Sequence, residues 1–136
     1  MEKEFARSVK DSFTVMTEIV MTSHANGYGR LFGGQLMSWM DVAGGICAKR
    51  HSGCEVITVS ANDLSFIKSA GPNDVVIITA LMESVGNTSM KVRITVEVEK
   101  FRGREKGNRV LTCTAYFVYV ALDENDNKCR VPRLSY

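Results

Sequence analysis

Asp41 is the one charged side chain between Leu31 and Ala48, set among Leu36, Met37, Trp39, Met40, Val42, Ala43, Ile46 and Cys47. A carboxylate in such company is either paired or reactive, because an isolated charge is costly to remove from water. Just upstream, Asn26, Gly27 and Gly29 make a glycine-rich loop, and Gly33 and Gly34 stand where a helical pattern begins. Backbone bare of side chains lets a ligand approach closely, and open amides at a helix start attract negative charge. A lone carboxylate, an amide side chain and a set of backbone amides suit a general base beside an oxyanion site, hence addition to a carbonyl. No G-x-S-x-G nucleophile motif is present, and neither His24 nor His51 has an evident Ser or Cys partner. A thioester needs the least machinery, since its leaving thiol has a pKa of about 8.5 and departs as thiolate without a strong acid. From spacing alone, a structural carboxylate bonded to loop amides accounts for Asp41 equally well.

The elements that must position these groups follow from periodicity. Leu36, Met40, Ala43 and Cys47 recur on one helical face, and Ser38 and Asp41 fall on a narrower polar strip. The pattern predicts a helix over residues 33–51, ending in Lys49, Arg50 and His51 at the negative end of its dipole and stopped by Gly53. Gly44 and Gly45 inside it cost about 1 kcal/mol each relative to alanine, which predicts close packing against a sheet or a partner helix. Strands are expected over residues 12–21, with Val15, Ile19 and Val20 as core residues, and over 55–66, 75–83, 90–100 and 110–121. Gly71, Pro72, Asn73 and Asp74 mark a turn, and Gly86 and Asn87 reverse the chain. Met90, Val92, Ile94, Val96 and Val98 alternate with polar residues, giving one wet face, whereas residues 110–121 are small or apolar on both faces. One long helix and a run of antiparallel strands make an α+β layer, a sheet curled around a helix. The doubly apolar last strand and the glycine pair both predict that another subunit supplies cover, hence a homo-oligomer.

Composition narrows the classes. The 136 residues fit a single domain over 1–136, with 45% hydrophobic and 24% charged residues. A net charge of +2 is too small to argue for nucleic acid. The apolar helix is broken by Gln35, Ser38, Asp41 and its glycines, and no other run of about 20 apolar residues suggests a membrane span. Residues 1–11 mix acidic and basic side chains without an apolar stretch, so no signal or transit peptide is expected. Cys47, Cys54, Cys113 and Cys129 lie on separate expected elements, which favours a reducing compartment, the cytoplasm by default. Cys47, His51 and Cys54, with His24 elsewhere, are zinc-ligand types, but their spacing matches no tight paired motif. Buried thiols are the expectation, with no metal and no cofactor.

The run Asn26-x-x-Gly29-x-x-Phe32-Gly33-Gly34, followed by Leu36-Met37 and Met40-Asp41, resembles the hotdog-fold acyl-CoA thioesterase family. The likeness is to its bacterial short acyl-CoA hydrolase branch and the related cytosolic acyl-CoA hydrolases. It continues through Val56-Ile57-Thr58-Val59, Leu64-Ser65-Phe66, Asp74-Val75-Val76 and Gly86-Asn87-Thr88-Ser89, and so spans residues 14–121. The resemblance implies a helix wrapped by an antiparallel sheet, dimers joined at edge strands, a site between subunits and assembly as a trimer of dimers, a hexamer. It implies Asp41 as general base or nucleophile, Asn26 of the other subunit orienting water or the carbonyl, and Gly33 and Gly34 donating amides to the oxyanion. Thr88 and Ser89 resemble polar positions near the acyl-CoA, and a plain hairpin start explains them equally. Coenzyme A phosphates call for cations. Arg102, Arg104, Lys106 and Arg109 around one loop, Lys68, and Arg30 in the motif are the basic residues available, while a solvated hairpin tip also explains the loop cluster. Met37, Met40, Phe66 and Met82 are plausible acyl-tunnel residues, Trp39 is expected at a subunit or helix contact, and His24 is read as a spectator. Two other functions stay open: an acyl-thioester hydratase or dehydratase pairing His24 with Asp41, and a non-catalytic acyl-CoA-binding module.

Overall fold

A computed structural model describes residues 6–62, 69–103 and 106–136. Helix α2 is Gly33–Ser52, preceded by a short turn of helix, α1, at Val9–Ser12. The predicted face of α2 is the buried one: Leu36, Met40, Ala43 and Cys47 all lie in the core. Its C-terminus closes on Gly53, whose φ of 72° lets its N–H reach the Lys49 carbonyl at 2.7 Å.

Strands β2 (Thr14–Ile19), β3 (Glu55–Asn62), β4 (Val75–Val85), β5 (Ser89–Glu99) and β6 (Arg109–Leu122) form one antiparallel sheet in the order β2-β4-β5-β6-β3. The sheet packs its inner face on α2, as the resemblance implied. Met90, Val92, Ile94, Val96 and Val98 face the helix and are buried, as alternation required. Two short strands at the chain ends, β1 (Ala6–Ser8) and β7 (Arg133–Ser135), pair in parallel beside this sheet.

Two expectations change, on β2 and on the glycine pair. Val15 and Ile19 are 52% and 48% exposed, and only Val20 of that trio is buried. Side chains alternate along a strand, so Val15 and Ile19 share the face opposite Val20, and Thr14 and Met16 take the inward positions. Gly44 is crowded by the sheet: an added Cβ would lie 2.3 Å from the Tyr119 hydroxyl and 2.8 Å from Ile94 Cδ1. Gly45 has ordinary clearance, 3.9 Å to the same ring, so only one of the pair is demanded by packing within this chain. The cover expected on both faces of β6 is partial within the chain, since Tyr116 and Val118 are half-buried and Leu111 is exposed.

The segment after β6 is a strap across the end of α2. Val131 N–H donates to Asn87 O at 2.9 Å, Cys129 N–H to Ala121 O at 3.0 Å, and Arg133 donates to the Gly86 carbonyl. His51, fully buried on the last turn of α2, bonds Pro132 O through Nε2 at 2.8 Å. Cys54 Sγ lies 3.5 Å from Cys129 Sγ, while Cys47 sits in the core. Among the described residues no group of three or more His, Cys, Asp and Glu side chains is placed to hold a metal ion, and no helix is long and apolar enough to cross a membrane.

Burial holds the His51 imidazole below its ordinary value of 6.5, reinforced by Arg7 and Arg133 and opposed by its Pro132 bond and Asp11. Because the folded-state value is depressed, the unfolded chain binds a proton that the folded one refuses as pH falls below the ordinary value. Stability from this residue is complete above about pH 6.5 and is lost toward acid. Thermal melts at pH 7 and pH 5 are therefore expected to give a larger drop in Tm for the wild type than for His51→Leu; equal drops would contradict this.

Candidate active site

The loop before α2 is pinned on both sides. Val20 N–H donates to Asp74 O at 2.9 Å and Asn73 N–H to Val20 O at 2.8 Å, so the end of β2 is tied to the turn before β4. A single 3₁₀ turn, Thr22–His24, follows, with His24 Nδ1 accepting the Met21 N–H at 3.0 Å and its ring edge-on to Trp39 at 5.0 Å. Leu31 N–H then reaches Ala70 O at 2.7 Å and Phe32 N–H reaches His24 O at 2.8 Å.

Within that frame Asn26 folds back on its own loop. Its Oδ1 accepts Tyr28 N–H at 2.9 Å and Arg30 N–H at 3.3 Å, a turn that needs the left-handed Gly29, φ 71°. Two backbone donors fix that atom as the oxygen, so the Asn26 side chain offers its NH₂ group outward. What the side chain presents is therefore a hydrogen-bond donor. Phe32 occupies the N-cap position of α2 and supplies no capping side chain, so the Gly33 and Gly34 amides have no side-chain acceptor among the described residues.

Asp41, two turns into α2, is held by the sheet. Thr58 on β3 stands directly opposite Tyr119 on β6, and both hydroxyls converge on Asp41 Oδ1, at 2.8 Å and 3.0 Å. The Tyr119 hydroxyl also lies 3.0 Å from the Asp41 carbonyl, so its one proton is shared between two oxygens. Burial, then the neighbouring Asp41 charge, pushes the Tyr119 phenol well above its ordinary value of 10, so it stays a donor. Among the described residues no donor reaches Asp41 Oδ2. The carboxylate is thus oriented by one oxygen and open at the other. Gly44 makes this possible, because the space of its missing side chain is where the Tyr119 hydroxyl passes. Gly44→Ala is expected to cost about 1–3 kcal/mol by overpacking and to lower turnover with it, checked by denaturant melts beside rate measurement; a neutral variant would contradict the contact.

Two recesses flank the start of α2. An open groove, about 470 Å³, is lined by Gly34, Met37, Ser38, Asp41, Thr58 and residues 59–61 of β3. Its outer wall is the edge strand β3, where Ile57 and Val59 are 47% and 51% exposed and the far side has no strand partner among the described residues. A narrower cavity, about 170 Å³, runs from Asn26, Arg30, Gly33 and Ser69 inward to Leu36, Val76, Val96, Val98 and Thr112. Asn26 and Asp41 therefore belong to different recesses of one chain, with Gly33 on the Asn26 side and Gly34 on the Asp41 side.

A family model described as the thioesterase superfamily matches residues 28–102, which include the Asp41 segment, β3 and β4. The chain belongs to the thioesterase superfamily. Similar proteins include an uncharacterized acyl-CoA thioester hydrolase of Buchnera aphidicola, 40% identical over 110 residues, 81% of this chain and 82% of the relative. Among solved structures, the acyl-CoA hydrolase from Bacillus cereus is 29% identical, with TM-score 0.89 over 96% of this chain and 77% of that one. A hexameric broad-specificity acyl-coenzyme A thioesterase is 32% identical, with TM-score 0.82 over 98% of this chain and 84% of that one. The helix held in a curled antiparallel sheet is the hotdog fold.

Placed on this fold, the residues named from sequence divide. Arg30 stands at the mouth of the Asn26 cavity. Arg102 lies in a separate hollow with Pro72, Asn73 and Lys100. Arg109 pairs with Glu97 at 3.1 Å, which neutralises much of its charge locally. Lys68, Arg104 and Phe66 lie outside the described residues. Thr88 and Ser89 sit at the β4–β5 turn, Thr88 O taking the Ala121 N–H at 3.0 Å and Ser89 opposite Val120, and they line neither recess. Met37 lines the Asp41 groove, but Met40 and Met82 are fully buried in the core and line neither of these two recesses. Trp39 packs under the His24 turn within the same chain. Thr58 and Tyr119 carry roles that sequence reading missed. Thr58 lies inside the Val56-Ile57-Thr58-Val59 match, and Tyr119 is a hydroxyl-bearing residue in an otherwise largely apolar stretch.

Proposed function

We propose that this protein hydrolyses acyl-CoA thioesters to the free acid and coenzyme A, with Asp41 as general base. The observation that carries the reading is a carboxylate fixed on one oxygen by Thr58 and Tyr119 and open on the other in a groove. The names of the relatives supply the substrate class.

In the proposed reaction Asp41 Oδ2 takes a proton from water as its oxygen attacks the thioester carbon. The carbonyl oxygen becomes an oxyanion, met by the Asn26 NH₂ and the open amides at the start of α2. Collapse breaks the carbon–sulfur bond, coenzyme A leaves as thiolate, and the proton on Asp41 passes to it or to solvent. Since Asn26 and Asp41 occupy different recesses in one chain, the complete site requires Asn26 of the partner subunit, and pairing two copies along the exposed β3 edge would complete two equivalent sites. Among the described residues Arg30, at the mouth of the Asn26 cavity, is the cation assigned to a coenzyme A phosphate. The hydratase reading needs His24 as a base, and its Nδ1 already accepts the Met21 N–H, which puts the proton of the neutral ring on Nε2.

The test is release of coenzyme A, followed with a thiol reagent, from acyl-CoAs of graded chain length. Release is expected for some members; none across the panel would overturn the reading. Label in the Asp41 carboxylate after a single turnover in ¹⁸O-water would make it a nucleophile, through an anhydride that water opens at the aspartyl carbon.

A further inference from the structure

Away from its mouth, the cavity beneath the Asn26 loop is lined, among the described residues, by apolar side chains with one exception. Leu36, Val76, Val96 and Val98 line it, and beside them lies Thr112, 2% exposed, whose Oγ1 has no hydrogen-bond partner among the described residues. Backbone register explains why a threonine is there. Val96 pairs with Cys113 and Glu97 with Leu111, so Thr112 is the extra residue of a β-bulge on β6. A bulge turns a side chain out of the alternation, and such features gather beside functional sites. Here it buries Thr112 next to the inward-facing Cys113. A hydroxyl stranded in an apolar wall is unfavourable unless something bonds it.

We propose that this cavity receives the acyl group and that Thr112 selects acyl chains carrying a neutral oxygen, a hydroxyl or an oxo group, toward their far end. The inference rests on the acyl-CoA hydrolase reading. The mouth of the cavity carries Asn26 and Gly33, the groups assigned to the carbonyl, so the chain beyond that carbonyl points inward. A cavity of about 150 Å³ holds a benzene-sized group of about six heavy atoms; at about 170 Å³ this one fits a short chain. A hydroxyl both donates and accepts, so Thr112 serves either an alcohol or a ketone. Among the described residues the one cation lining the cavity is Arg30, at its exposed mouth, so a carboxylate at that depth finds no counter-charge there.

The experiment compares kcat/KM for hexanoyl-CoA with its hydroxy derivatives at the third and fifth carbons and its oxo derivative at the fifth. The wild type is expected to favour at least one oxygenated chain by about tenfold or more. Thr112→Val, equal in shape, should remove that preference, bringing kcat/KM for the oxygenated chains to the level of hexanoyl-CoA, and Thr112→Ser should keep it. Circular dichroism verifies that each variant folds. Hexanoyl-CoA hydrolysed as fast as every oxygenated chain, or an equal loss on all substrates in Thr112→Val, overturns the inference alone and leaves a water as the partner of Thr112. No release from any substrate by the wild type overturns the hydrolase reading and this inference with it.

Discussion

Asp41→Asn is expected to lower the rate of coenzyme A release by about 10²–10⁴-fold, the share that a positioned general base supplies. The substitution is chosen for its shape. An asparagine oxygen still accepts from Thr58 and Tyr119, which bond Asp41 at 2.8 Å and 3.0 Å, so the helix and the β3–β6 pair keep their contacts. What it loses is the open, basic Oδ2. A folded variant with undiminished turnover would mean that the carboxylate is there for Thr58 and Tyr119 and not for substrate. That outcome would return Asp41 to the purely structural role that its spacing alone allowed.

The second large effect is expected at Asn26. Asn26→Asp keeps an acceptor for Tyr28 N–H and Arg30 N–H, so the loop that rests on those bonds, 2.9 Å and 3.3 Å, stays in place. It replaces the outward NH₂ with a charged oxygen that repels an oxyanion. Loss of one oxyanion donor costs about 10²–10³-fold in kcat, and the added charge deepens it. Asn26→Ala removes the loop bonds as well, so a comparison of the two separates chemistry from loop order. If Asn26→Asp turns over like the wild type, the side chain orients water instead, and its donor role is wrong.

The fold was legible where period and burial coincide. The spacing of Leu36, Met40, Ala43 and Cys47 located α2, and the alternation from Met90 to Val98 located the inner face of β5. It failed where two apolar residues sit on opposite parities, as with Val15 and Val20, because hydropathy says what is apolar and parity says which side it faces. The site was legible as two halves. Asp41 was marked by its apolar setting and Asn26 by its glycine loop, yet nothing local places them on opposite sides of the start of α2. Thr58 and Tyr119 meet through the β3–β6 register, and Thr112 turns inward through a bulge. Cross-strand registers depend on residues far apart in the chain, and a bulge shifts them without a sequence mark. His51 and the strap at Pro132 were hidden for the same reason, since the burial of each comes from the other.

The most direct test of the shared site is subunit complementation. Asn26→Asp and Asp41→Asn, each expected to be inactive alone, are mixed, unfolded and refolded together. Random pairing in a two-fold dimer puts half of the molecules in mixed pairs, each with one intact site of two, which restores about a quarter of wild-type activity. Activity that stays at the level of the separate variants, with mixed oligomers confirmed by mass spectrometry, would contradict a site built from Asn26 of one subunit and Asp41 of the other.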